Sequence, residues 1–150
     1  MAVSQSVHQH GVVTGTLVVQ DTDIQLQLTI PAMSLFGFEH APHTHKEQHH
    51  VATVLQKLNQ QTWFQFYSKG TFFGKSKSVN TKVTSQVFSI QAPNPSHSTE
   101  HNDHHHDHHH HGNHKKVQER HSDVVGTLQF KHATDKPITG LKTTLFDQFP

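Results

Sequence analysis

Residues 24–30, Ile24-Gln25-Leu26-Gln27-Leu28-Thr29-Ile30, place an apolar side chain at every second position and a polar one between. Successive side chains of a strand point to opposite faces, so this alternation describes a strand with one buried and one wet face. Outward from it, residues 12–20 repeat the pattern, with Val13, Gly15, Leu17 and Val19 on one face and Thr14 and Thr16 on the other. Asp21-Thr22-Asp23 between them is a short polar turn, so the pair reads as a β-hairpin with one face buried. Pro31 closes the second strand, because proline cannot donate to a ladder.

After an apolar group at Met33, Leu35, Phe36 and Phe38, the period changes from two to about 3.6. Thr44 and Glu47 make a capping box, and Val51, Val54, Leu55 and Leu58 follow at helical spacing, which predicts an amphipathic helix over residues 45–60. The aromatic stretch Trp63, Phe64, Phe66, Tyr67, Phe72 and Phe73 is expected to fill the core between helix and sheet. Further strands are expected over 78–91, 123–132 and 139–147, with Pro93 and Pro95 ending the first of these. The fold class is therefore α+β: a mostly antiparallel β-sheet with one main amphipathic helix. Residues 1–150 read as a single domain, and 93–121 as a long loop that bulges from the sheet.

The hydrophobic fraction of 31% lies below the globular average, largely because of that loop and of many Gln, Ser and Thr. A net charge of +1 with neutral histidines points to neither a nucleic-acid partner nor membrane insertion. No apolar run approaches the roughly 20 residues that span a bilayer. Met1 to Val7 has neither the basic nor the apolar part of a signal peptide. With no cysteine there is no disulfide and no thiolate site, so zinc would be held by His with Asp or Glu.

Eleven of the nineteen histidines lie between Pro93 and His121. His97, His101, His104, His105, His106, His108, His109, His110, His111 and His114 offer many overlapping two- to four-ligand sites to Zn²⁺, Ni²⁺ or Cu²⁺. Unlike a purification tag, the run is internal and broken by Asp103, Asp107, Gly112 and Asn113. Its composition cannot build a core, so it is expected to be disordered without metal. Metal must then supply the ordering entropy, which makes each site weak and fast-exchanging, suited to buffering or transfer.

Outside the loop, His8 and His10 share a face of an extended segment, Glu39-His40 follows Phe38, and His121-Ser122-Asp123 opens a strand. If these neighbour one another, His8, His10 and His121 with Glu39, His40 or Asp123 could close a single site. His45 and His49 stand one helical turn apart, but no Glu follows His45 in the manner of a metallohydrolase, so a solvated face is the simpler reading. His132, in an apolar strand, is expected to be a satisfied structural residue.

The run Pro31-Ala32-Met33-Ser34-Leu35-Phe36-Gly37-Phe38-Glu39-His40-Ala41-Pro42 closely resembles the PAMNLxGFEHAP segment of the ZrgA family of bacterial zinc-uptake proteins. An HxHG start (His8 to Gly11), a His/Asp-rich insertion, an HSD segment (His121 to Asp123) and a late LFxxFP (Leu145 to Pro150) follow the family's order. The resemblance implies a periplasmic zinc-binding protein that assists uptake, alongside the zinc-binding protein of an ABC-type transporter. It carries over His8, His10, Glu39, His40, His121 and Asp123 as candidate ligands. Family members commonly have two cysteines, which fall here near Ser76 and at His132, so the usual disulfide is absent. The family also tends to continue past FP with a further strand, so the last sheet edge is expected to be unpaired.

The reading is zinc capture and delivery: the loop collects ions and a folded site around His8, His10 and His121 holds one more tightly. The rival is a buffer or detoxification protein for zinc, nickel or copper with no transporter partner. No motif places an open coordination position beside a base, so an enzyme is not expected.

Overall fold

A computed structural model of the chain describes residues 11–70, 74–91 and 121–149. The expected hairpin is β1 (Thr14–Gln20) and β2 (Asp23–Pro31), joined by the two-residue turn Asp21-Thr22, with Asp21 at φ 52. β2 continues into a short helix α1 (Ala32–Phe36). Gly37 stops it at φ 79, and its N–H donates to the Met33 carbonyl at 3.0 Å, a left-handed helix end that suits glycine. The main helix α2 (His45–Gln60) follows, then β3 (Phe64–Lys69), β4 (Ser76–Val79), β5 (Thr81–Gln91), β6 (Asp123–His132), β7 (Ile138–Thr143) and a 3₁₀ turn at Leu145–Asp147.

The strands form two antiparallel sheets, one four-stranded in the order β1-β2-β6-β5 and one three-stranded in the order β4-β3-β7. Between them lies one core. Ile24, Leu26, Leu28 and Ile30 of β2 and Val124, Leu128 and Phe130 of β6 line the first sheet's inner face, and Phe64 and Phe66 of β3 face them. The Phe66 and Phe130 rings meet edge-on, with centroids 4.9 Å apart at 67°, a geometry that suits the ring quadrupoles. α1 adds Ala32, Leu35 and Phe36, and α2 adds Val51, Val54 and Leu58, the last fully buried.

α2 starts as its sequence requires. The Thr44 hydroxyl accepts from the Glu47 N–H at 3.1 Å while the Glu47 carboxylate accepts from the Thr44 N–H at 3.1 Å. Its end is tied to β5: the Gln86 side-chain amide donates to the carbonyls of Leu58 and Gln61 at 2.7 and 2.8 Å. The Trp63 indole N–H also donates to the Leu58 carbonyl, at 3.0 Å. Such bonds satisfy helix-end carbonyls that have no intrahelical partner. Asn59 then grips β5 through the N–H and C=O of Phe88 at 2.8 and 3.2 Å.

Several expectations are corrected. The strand read over 78–91 is two strands in different sheets, β4 and β5, parted at Asn80. Of the aromatic stretch, Trp63, Phe64 and Phe66 fill the core, the last two as part of β3, the centre of the second sheet; Tyr67 is half-buried, and Phe72 and Phe73 lie outside the described residues. β7 stops at Thr143, because Leu145–Asp147 turns as 3₁₀. In the hairpin only β2 is half-buried; β1 is the sheet edge and is exposed along its length, with Leu17 and Val19 beyond the reach of the core. His132 is buried, but neither ring nitrogen has a hydrogen-bond partner among the described residues, so it is not the satisfied residue expected.

Candidate metal centre

The sheet register brings four chain segments to one end of the four-stranded sheet. Pro31 and Gln91 both lie opposite Asp123, and Thr14 lies opposite Thr29. β1 therefore begins, β2 ends, β5 ends and β6 begins at that end. Because Gln91 and Asp123 are register partners, the chain leaves β5 and enters β6 at this same end of the sheet.

The Ala32 N–H donates to the Ser122 carbonyl at 3.0 Å and staples the start of α1 to the residues before β6. After Gly37 turns the chain, the half-buried Phe38 packs against the core and Glu39 comes to His121. His121 Nδ1 is in close contact with the Glu39 carboxylate, whose side chain is 16% exposed against 32% for the imidazole. These two residues, 82 positions apart in the chain, are joined by the fold alone. A carboxylate that accepts from Nδ1–H fixes the tautomer with the lone pair at Nε2 and raises its basicity, the usual carboxylate–histidine arrangement of zinc sites.

Asp123 opens β6 and is half-buried, on the strand face opposite the buried Val124. His40 does not join Glu39. Its exposed ring stacks on Phe38 at 4.8 Å and on His43 at 5.3 Å, and Nε2 faces Glu47 Oε1 at 3.9 Å. The backbone N–H groups of His43 and Thr44 hold the Glu47 carboxyl below its ordinary pKa. His45 and His49 are exposed on α2, as their solvated reading requires. Among the described residues no group of three or more His, Asp or Glu converges as a metal cage. His8, His10 and the ten histidines from His97 to His114 lie outside the described residues.

Of the three alternatives Glu39, His40 and Asp123, the fold brings Glu39 to His121, while His40 turns to a different carboxylate. His43 and Glu47 escaped the sequence reading as partners of His40. The spacing His40-x-x-His43, directly before the capping box, was the signal available.

Compared with known proteins, the chain matches the family described as ZrgA family zinc uptake protein over residues 7–150. It belongs to that family, whose described role is zinc uptake. No curated protein matches it.

Proposed function

We propose that this member of a zinc uptake family captures Zn²⁺ in the periplasm and passes it to the zinc-binding protein of an ABC-type transporter. The observation that carries the reading is the Glu39–His121 contact, set at the sheet end from which the His-rich segment departs and to which it returns. Loosely held ions collected by that segment would be released beside the Glu39–His121 pair. His8 lies six residues before Thr14, whose strand begins at the same end. At about 3.3–3.6 Å per extended residue, the six residues from His8 to Thr14 span at most about 20 Å and the four from His10 about 14 Å. In this reading His8, His10 and His121 ligate zinc, Glu39 orients His121, and Asp123 stands by as a further carboxylate.

The centre is read as a binding site and not a catalytic one, since delivery needs ligands that release. His-only sites favour Cu²⁺ over Zn²⁺ by the Irving–Williams order, so ion choice rests on the family and on carboxylate participation. Calorimetric zinc titration at pH 7.4 of the intact chain and of a variant lacking residues 96–116 tests the proposal. One tightly bound ion should survive the deletion while the total falls. If all binding is lost, the folded centre does not exist, and the many histidines of the segment make the chain a metal buffer. Metal competes with protons for imidazole, so affinity should also fall as pH drops through about 6.5.

A further inference from the structure

The geometry points to a second, outer Zn²⁺ site formed by His40 Nε2 and Glu47 Oε1, one residue along the chain from the Glu39–His121 centre. It rests on the reading of the chain as a zinc carrier and adds the step by which the ion arrives.

The case lies in which atoms face each other. His40 Nδ1 is 2.9 Å from the Ala41 carbonyl oxygen, and a carbonyl can only accept. Nδ1 therefore carries a proton, and in the neutral ring the remaining lone pair is at Nε2. Glu47 Oε1, an atom that also only accepts, lies 3.9 Å from that nitrogen. Two acceptors set opposite each other, beyond hydrogen-bond range, enclose a position for a cation.

The spacing fits a metal. Zn–N and Zn–O bonds of about 2.0–2.2 Å at a tetrahedral angle place two ligand atoms about 3.3–3.6 Å apart. The pair needs to close by only about 0.3–0.6 Å from its present 3.9 Å. Both ligands are also held by their other atoms. Glu47 Oε2 accepts from the His43 N–H at 2.8 Å and the Thr44 N–H at 3.1 Å, which pins the carboxylate and leaves Oε1 turned to His40. The His40 ring is fixed by its Ala41 bond and by near-parallel stacking on Phe38 and His43, at 18° and 13°. The backbone donors keep Glu47 ionised. This is the outer-sphere support that metal ligands need.

With two protein ligands and an exposed imidazole, the site leaves coordination positions to water. It exchanges quickly, as a station between solvent and the inner pair should. His40 directly follows Glu39 in the chain, so the two pairs are joined by a single peptide bond.

The test follows imidazole nitrogens by long-range ¹H–¹⁵N NMR while Zn²⁺ alone is added to the intact chain and to E47Q at pH 7.4. Glutamine also serves at the third position of a capping box, so the helix persists in the variant. The His40 Nε2 resonance should move with zinc in the wild type. In E47Q its apparent affinity should fall at least about tenfold, with the His121 response unchanged. A His40 resonance that stays put through excess zinc, or one that responds equally in E47Q, overturns the outer site. Response at His121 alone refutes the outer site and leaves the inner centre standing. Response at His40 alone supports the outer site and refutes the inner one.

Discussion

A single methyl group at Gly126 tests how the β5–β6 pair is packed. Gly126 lies opposite Phe88 in the register, and a Cβ there would sit 2.5 Å from Phe88 Cε1, 2.8 Å from Cδ1 and 3.1 Å from Cζ. The ring cannot swing away cheaply, because Phe88 is 4% exposed and its N–H and C=O are both held by Asn59. Overpacking of this kind typically costs about 1–3 kcal/mol. The φ of Gly126 is not in the left-handed region, so alanine would also gain about 0.4–1 kcal/mol from a less flexible unfolded chain. The expected net loss for G126A is therefore about 0–2.6 kcal/mol, centred on about 1.3. With a urea slope of about 2 kcal/mol/M, the unfolding midpoint should fall by about 0.6 M, and by at most about 1.3 M. F88L in the same background should recover part of the loss by vacating the space. A G126A protein more stable than wild type, or one that F88L fails to rescue, would refute the argument.

Other outcomes follow from the same contacts. H121A should abolish tight zinc binding in the variant lacking residues 96–116, and E39Q should weaken it about 10–100-fold, both read by calorimetry. T44A should cost about 1 kcal/mol through loss of the α2 cap, measured by denaturation monitored by circular dichroism. H132L should stabilise the fold by about 1–2 kcal/mol, because it removes two buried nitrogens that lack partners; a loss of stability would show that the imidazole has a role. Glu47 adds a pH dependence. Its folded pKa is depressed, so its contribution is complete above its unfolded pKa of about 4.3 and is lost as pH falls through the lower folded value. Acid titration of E47Q should show a flatter stability decline below about pH 4.3 than wild type.

Where local chemistry determines structure, the sequence was legible. The capping box and the 3.6 period give α2 its bounds of His45–Gln60, and the alternation of β2 predicts which four side chains are buried. Legibility failed where the decision was tertiary. Val79 and Val83 continue one alternating pattern, and Asn80 alone marks that the chain crosses from one sheet to the other. β1 looks as amphipathic as β2, yet its apolar face is exposed because none of the described residues forms a second layer over the sheet edge. At the site, the motifs holding Glu39 and His121 stand out in the sequence, but the sequence leaves open which of Glu39, His40 and Asp123 meets His121. The separation of His40 from Glu39 was not legible, since adjacent residues can serve different partners only once stacking on Phe38 and the bond to Ala41 are in place.

The adjacency of Gln91 and Asp123 in the register frees the length of the connection between them from the demands of the fold. For a flexible connection, closure entropy grows only with the logarithm of length, so doubling it adds about 0.6 kcal/mol. Inserted or deleted histidines there would leave the β5–β6 ladder, and hence the Glu39–His121 contact, undisturbed. If the proposed function holds, the capacity of the connection and the geometry of the Glu39–His121 contact are then separately adjustable, since only the second is set by the sheet.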